Sequence, residues 1–309
     1  MKLLITGSTG FIGSHFVDYA LSKNNKKIQL YGLFSSHKSS FREGCNYVQA
    51  NLLERERTFE IIQKISPDYI IHFAGISNGS SDELLSTNVI GLINLLDSIL
   101  LLKKKIPTVI IGSSAEYGYQ GNNPIKESAP LHPVGFYGIS KAAATLTAQS
   151  YFIKFDLPIA VVRPFNVIGP GQSVNFVCGK VVFQVSEIHA GNRECIELSG
   201  NESYRDFIDV RDVVKACWML LMHENFDKSV SGKIFNIGSG KRYSQSDIIS
   251  TIEIITNKKY NLNFSLNASP EYVPSQISDN CIINCTTGWK PEISLKQSLQ
   301  DMLDLTASD

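Results

Sequence analysis

Tyr137 and Lys141, at i and i+4 in Tyr137-Gly138-Ile139-Ser140-Lys141, have the types and spacing for proton transfer. On a helix that spacing puts both side chains on one face. A free phenol titrates at ~10, and an adjacent ammonium favours its ionised form, so such a phenol can exchange a proton near neutral pH. Upstream, Gly112-Ser113-Ser114-Ala115-Glu116-Tyr117-Gly118 follows an apolar run, and Ser113 there could hydrogen-bond a substrate oxygen. A Tyr-x-x-x-Lys pair by itself arises often by chance on helices. Its weight here comes from a third feature at the amino terminus.

Gly7-Ser8-Thr9-Gly10-Phe11-Ile12-Gly13 lies between an apolar run, Lys2–Thr6, and a helix-period segment. Glycines permit positive φ and let backbone approach a pyrophosphate, while a helix amino terminus presents unpaired N–H groups and the positive end of its dipole. NAD-binding versions of this turn place an acid at the end of the second strand, ~20 residues on, to bond the ribose hydroxyls. The corresponding stretch here is Phe34-Ser35-Ser36-His37-Lys38-Ser39-Ser40 with Arg42 behind it, hydroxyls and cations without an acid. That chemistry favours NADP(H), with NAD(H) as the alternative.

The elements that must position these groups alternate through the first half. Lys2–Thr6, Ile28–Leu33, Tyr47–Gln49, Tyr69–Phe73, Thr108–Gly112 and Ile159–Arg163 read as strands, with helix-period segments between them. Runs such as Tyr69-Ile70-Ile71-His72-Phe73 lack polar alternation, as strands buried on both faces do. The expectation is an α/β fold, a Rossmann-type doubly wound parallel sheet with helices on both faces. After Pro164 the alternation becomes irregular. A helix is expected near Asn175–Ala190, a strand at Ile196–Leu198, a helix over Phe207–Met222 and a strand at Ile234–Ile237. The predicted division is 1–166 with 207–237 for a dinucleotide-binding domain, and 167–206 with 238–309 for a smaller interleaved substrate lobe.

Composition excludes several function classes. Lys plus Arg and Asp plus Glu number 29 each, so no global field exists to hold nucleic acid or an anionic membrane surface. The stretch Val89–Leu102 carries Asn94, Asp97 and Ser98 and reads as a core helix shorter than a membrane span. The six cysteines are scattered without a CxxC pair, and Cys281 with Cys285 finds no second pair to complete a metal site. A reducing, cytoplasmic setting without a metal is expected.

Together these segments resemble the extended short-chain dehydrogenase/reductase family of sugar-nucleotide epimerases, dehydratases and reductases, over nearly the full length. Further matches are His72-Phe73-Ala74-Gly75, Asn88-Val89-Ile90-Gly91, Arg163-Pro164-Phe165-Asn166-Val167-Ile168-Gly169-Pro170-Gly171 and Arg205-Asp206-Phe207-Ile208-Asp209-Val210-Arg211-Asp212-Val213. The resemblance implies a catalytic triad of Ser113, Tyr137 and Lys141. It implies cofactor contacts from Gly7, Thr9, Gly10, Phe11, Ile12, Gly13, Ser35, Ser36, Lys38, Asn51, Leu52, Phe73, Ala74, Gly75, Asn88, Pro164 and Phe165, beside Tyr137 and Lys141. Substrate contacts are implied for Ser113, Ser114, Glu116, Asn166, Asn175 and Arg205, with Arg205 on the diphosphate, a role suited to a forked donor.

Within the family, 4,6-dehydratases carry a glutamate where this chain has Ala115, which argues against dehydration. Glu116 lies one position late and, in an extended segment, would face away. The motifs most resemble those of GDP-4-keto-6-deoxy-D-mannose reductases, implying hydride delivery to the 4-keto carbon of a nucleotide-linked deoxysugar. An NAD-dependent 4-epimerase is the alternative, and a non-enzymatic cofactor sensor on the same fold is the reading from another class. Two departures from the family bear on ligand grip: Asn51 stands where members have an aspartate near the adenine, and Val273-Pro274-Ser275-Gln276 lacks the arginine and aspartate of relatives. The resemblance also implies a homodimer through the helices around Val89–Leu102 and Ala142–Phe155.

Overall fold

A computed structural model describes residues 1–23, 27–35, 41–199, 203–265 and 272–306. In chain order the first half runs β1 (Lys2–Thr6), α1 (Phe11–Lys23), β2 (Gln29–Phe34), β3 (Cys45–Gln49), α2 (Arg55–Ile65), β4 (Tyr69–His72), α3 (Ser81–Leu85), α4 (Gly91–Leu101) and β5 (Thr108–Ile111). After it come α5 (Phe136–Phe155), β6 (Ile159–Pro164), β7 (Asn166–Ile168), α6 (Val177–His189), β8 (Cys195–Ser199), β9 (Phe207–Asp209) and α7 (Val210–Leu221). The chain closes with β10 (Ile234–Ile237), α8 (Gln245–Thr256), β11 (Asn261–Ser265), α9 (Cys281–Thr287) and α10 (Leu295–Thr306).

Seven strands form one sheet in the order β10-β6-β5-β4-β1-β2-β3, every pair parallel, so the expected doubly wound α/β architecture is present. Because successive side chains of a strand point to opposite faces, Leu3 and Ile5 enter one core while Leu4 enters the other. The first core is closed by Phe16 and Val17 of α1 with Val213 and Leu220 of α7. Ile62 of α2, Leu92 and Leu96 of α4 and Ala148 of α5 close the second. The strand order reverses between β1 and β4, and a crevice outside the carboxyl ends at such a point is where doubly wound sheets bind ligands.

A third apolar cluster is built from the later elements: Val181 and Val185 of α6, Ile196 and Leu198 of β8, Ile248 and Ile252 of α8 and Leu299 of α10. Two short parallel pairs, β11 with β8 and β7 with β9, belong to this part of the chain.

Two elements differ from expectation. The segment Phe207–Met222 is not one helix, because Phe207–Asp209 pairs with Asn166–Ile168 and α7 begins only at Val210. The Asp209 carboxylate accepts from Arg211 N and so caps the helix there, which sets its start. Around Val89 the helix is longer than its apolar stretch suggests. It starts at Ser81 under a capping box of Ser80 and Glu83 and continues to Leu101 through a π turn at Ser86–Ile90. Those 21 residues are long and apolar enough to cross a membrane by length and composition, and half of the apolar window is buried in this fold.

Candidate active site

The glycine turn is forced by close approach. Gly7 has φ +64°, and a Cβ there would stand 2.6 Å from Ala74 N; a Cβ at Gly13 would stand 2.0 Å from the Gly7 carbonyl oxygen. Without side chains at these positions, α1 packs directly on the β1–β4 crevice and aims its first N–H groups into it. A cavity of about 700 Å³ opens there, lined on this side by Gly7, Gly10, Phe11, Ile12, Gly13, Phe73 and Gly75. Helix amino terminus, glycines and an adjoining apolar wall fit the pyrophosphate and ring of a dinucleotide.

Several residues expected on the cofactor do not line that cavity. Thr9 and Ala74 border the turn, half-buried. Asn88 is buried behind the wall: its Oδ1 accepts from Ile76 N at 2.9 Å, and its amide donates to Ile76 O and to Ser140 Oγ. It therefore fixes the Gly75–Ile76 wall instead of presenting itself to a ligand. Leu52 is held by Asn94, whose amide donates to its carbonyl. Asn51 spends its side-chain oxygen on Leu53 N, within its own turn. Ser35 is exposed at the end of β2. Ser36 and Lys38 lie outside the described residues. Arg42 forms a two-pronged pair with Asp18, at 2.7 and 3.2 Å, so its charge is already matched.

The residues expected to transfer protons come together from two parts of the chain. Tyr137 and Lys141 project from the first turns of α5, and Ser113 ends the loop after β5; all three line the cavity. The Ser113 hydroxyl accepts from Ala115 N at 3.1 Å and lies beside the Tyr137 phenol. Burial raises the phenol's pKa above its ordinary value, and the Ser113 hydroxyl partly offsets this. This differs from the expected activation by a neighbouring ammonium, because Lys141 Nζ donates to Ile111 O at 2.9 Å and points into the floor of the cavity. Burial pushes the Lys141 ammonium down to about 8, and Glu116 opposes that shift.

On the substrate side Ser114, Asn166, Asn175 and Arg205 line the same cavity, with Pro164 and Phe165 between them and the glycine turn. Arg205 donates to Val273 O at 2.6 Å, and among the described residues no carboxylate pairs with it. A desolvated guanidinium without a counter-charge, its pKa lowered by burial, suits an anionic ligand group better than a surface ion pair. Its backbone is held by Tyr243 through reciprocal bonds, Arg205 N to Tyr243 O and Tyr243 N to Arg205 O. The next residue, Asp206, is fully buried and accepts from Ser239, Gly240 and Ser278.

Glu116, expected on the substrate, is elsewhere. The loop after β5 is not extended but turns into a 3₁₀ helix over Ser114–Glu116, which swings the carboxylate inward. Glu116 is 0% exposed, with one oxygen on Ser113 N at 2.8 Å and the other on Arg163 Nε at 2.7 Å. No aspartate or glutamate lines the cavity among the described residues.

Gln276 is a cavity residue that no local motif marks, since its partners are remote in sequence: its amide donates to Ser114 O and Gly118 O. Arg163 was visible only as the first residue of the Arg163-Pro164-Phe165-Asn166 motif, with no partner predicted.

The family described as GDP-mannose 4,6 dehydratase matches residues 4–302. The GDP-6-deoxy-D-mannose reductase of Pseudomonas aeruginosa is 28% identical over 98% of this chain and 96% of its own length. At the same 28%, the putative UDP-glucose 4-epimerase of Methanocaldococcus jannaschii matches 98% of this chain and 97% of its own. The solved structure of RMD from Pseudomonas aeruginosa, complexed with NADPH, superimposes with a TM-score of 0.86 at 27% identity, covering 99% of both chains. UDP-glucuronic acid 4-epimerase from Bacillus cereus, solved with UDP-glucuronic acid and NAD, gives 0.87 at 23% identity over 100% of this chain and 99% of its own, a likeness of fold.

Proposed function

Since the chain belongs to the GDP-mannose 4,6 dehydratase family of the extended short-chain dehydrogenases/reductases, we propose that it reduces the 4-keto group of a nucleotide-linked 4-keto-6-deoxyhexose with NADPH or NADH. The observation that carries this reading is that, among the described residues, no carboxylate lines the cavity, with Ala115 beside Ser113 and Tyr137. Eliminating water from a sugar needs an acid or base at the carbon next to the ketone. The one carboxylate of the catalytic turn, Glu116, is buried against Arg163. What remains in the cavity is a set of donors for an oxygen that gains negative charge.

A nicotinamide held against this wall would supply the hydride for C4. Tyr137 protonates the oxygen that develops charge there, and the Ser113 hydroxyl hydrogen-bonds the same oxygen. Lys141 would hold the nicotinamide ribose, with the backbone of Phe11, Ile12 and Gly13 on the pyrophosphate. Arg205 takes the substrate diphosphate, with Ser114, Asn166 and Asn175 along the sugar. In this assignment residues 1–166 with 207–237 bind the cofactor and 167–206 with 238–309 the nucleotide sugar. NADP(H) is favoured by the lack of an acid at Phe34-Ser35. Support comes also from the reductase relative and from RMD in complex with NADPH.

Exposed Leu85, Ile90 and Leu101 on α3–α4, with Leu146 and Ile153 on α5, support a homodimer through this pair of helices. A cytoplasmic enzyme is consistent with six free cysteines. A 4-epimerase is the second reading, favoured by the equally similar epimerase relative and by the fact that Ser113, Tyr137 and Lys141 serve that chemistry too.

The deciding experiment incubates purified protein with NADPH or NADH and a panel of nucleotide-linked 4-keto-6-deoxy sugars, with products identified by NMR. Cofactor oxidation matched by a 4-hydroxy product is expected. Interconversion of 4-epimers by protein carrying tightly bound NAD, with no added reductant, would replace this reading with the second.

A further inference from the structure

Beneath the catalytic turn lies an ion pair whose two members are both buried: Arg163 at 2% and Glu116 at 0% exposure. Each Glu116 oxygen has its own donor, Arg163 Nε on one and Ser113 N on the other. Arg163 is itself braced, donating to the Tyr117 hydroxyl at 2.9 Å, while that hydroxyl donates to Asn236 Oδ1 at 2.7 Å. The carboxylate also presses on the chain segment that holds the catalytic lysine. A Cβ at Gly112 would stand 2.5 Å from Glu116 Oε1, and the preceding residue, Ile111, supplies the carbonyl that accepts from Lys141 Nζ. Glu116 and Lys141 thus meet across the two residues Ile111 and Gly112.

We propose that Glu116, clamped by Arg163, is a positioning residue that holds the Ser113 turn and keeps the Lys141 ammonium charged from behind the cavity floor. A buried ammonium needs a counter-charge, and its surroundings narrow the choice. Facing Lys141 are Glu116 from the catalytic turn and His72 from β4, with Tyr137 one turn back on its own helix. His72 is driven down to about 3 by burial, with Lys141 adding to that, so it is neutral in the working range and offers no negative charge. Tyr137 is protonated there. Glu116 is therefore the anion on which Lys141 depends. Burial pushes the Glu116 carboxyl up, and the Arg163 guanidinium and the Ser113 amide pull it back towards the ionised form. Tyr117 shields the guanidinium on its other side, with Glu127 acting on Tyr117 from further out.

The consequence for turnover rests on the reductase reading, but the charge coupling does not, and titration of Lys141 separates the two. Protein grown with lysine ¹³C-labelled at Cε is titrated by NMR without cofactor or substrate, the Lys141 resonance being assigned by its loss in Lys141→Arg. The expected midpoint is about 8 in the parent. It should fall by about one unit or more in Glu116→Gln and return in Glu116→Asp, which restores the charge. If Glu116→Gln alone does not fold, the double variant Glu116→Gln/Arg163→Met removes both buried charges, and the same fall is expected because Arg163 does not act directly on Lys141. With a reducible keto sugar in hand, the alkaline limb of kcat should move with the NMR midpoint. An unmoved Lys141 midpoint in the glutamine variants, or an aspartate variant as low as glutamine, overturns the proposal and leaves Glu116 a structural brace. Failure of every keto sugar to be reduced, with the midpoint shifted as expected, instead removes the reductase reading alone.

Discussion

The side-chain amide of Gln276 donates to the carbonyl oxygen of Ser114 at 3.1 Å, tying the loop after residue 272 to the turn that carries Ser113. The same amide reaches Gly118 O at 2.9 Å. Because Val273, three residues earlier, supplies the carbonyl that holds Arg205, one short loop spans the proposed diphosphate grip and the proposed catalytic turn.

Replacing Gln276 by Leu should leave the buried carbonyl of Gly118 without its donor and Ser114 O with Tyr117 N alone, at a cost of about 1–3 kcal/mol. Urea denaturation should show that loss. Turnover of a 4-keto sugar should fall by at least tenfold through kcat as well as KM. A Leu variant as stable and active as the parent would show that the loop and the turn are independent.

Tyr137→Phe removes the phenolic proton while keeping the ring. Turnover should drop by about 10²–10⁴-fold, the usual worth of a positioned general acid, while cofactor affinity measured by nucleotide fluorescence stays within a few-fold of the parent. Near-normal turnover would contradict the role given to this residue.

Gly13→Ala tests whether the turn is a close-approach site. With its Cβ 2.0 Å from the Gly7 carbonyl oxygen, helix and turn must separate. Overpacking of this kind costs about 1–3 kcal/mol, and dinucleotide binding by calorimetry should be lost. An intact isotherm would mean that the turn does not carry the pyrophosphate.

His72 makes stability depend on pH. It is 3% exposed, its Nδ1 is 2.8 Å from Thr6 Oγ1, and burial lowers its pKa from 6.5 to about 3. Between those values the unfolded chain binds a proton that the native state cannot, so stability is complete above pH ~6.5 and declines as pH falls. The decline by pH 5 amounts to about 2 kcal/mol from this group. In His72→Gln that part of the acid-side loss should vanish when denaturation is compared at pH 7 and pH 5. An equal loss in both proteins would assign the acid sensitivity to other groups.

What the linear chain determined is whatever local pattern encodes. The parallel sheet was legible because strands buried on both faces are continuous apolar runs, and Tyr69–His72 and Thr108–Ile111 are such runs. The glycine turn was legible because Gly7 and Gly13 are sterically compelled, and Tyr137 with Lys141 because helical spacing alone puts them on one face. Where local pattern was ambiguous the fold decided. Phe207–Asp209 has the apolar content of a helix start, yet pairs with Asn166–Ile168, a partner about forty residues away in sequence that no periodicity announces. The resemblance places Glu116 among the substrate contacts while an extended segment would turn it away, and its direction is settled by a 3₁₀ turn and by Arg163, 47 residues on. Gln276 reached the site from 162 residues beyond Ser114. Spacing along a helix or strand reports which side chains share a face. Which charges share a buried space depends on how separate elements pack, and in this protein that packing placed the carboxylate behind the cavity, leaving a floor of hydroxyls and one ammonium.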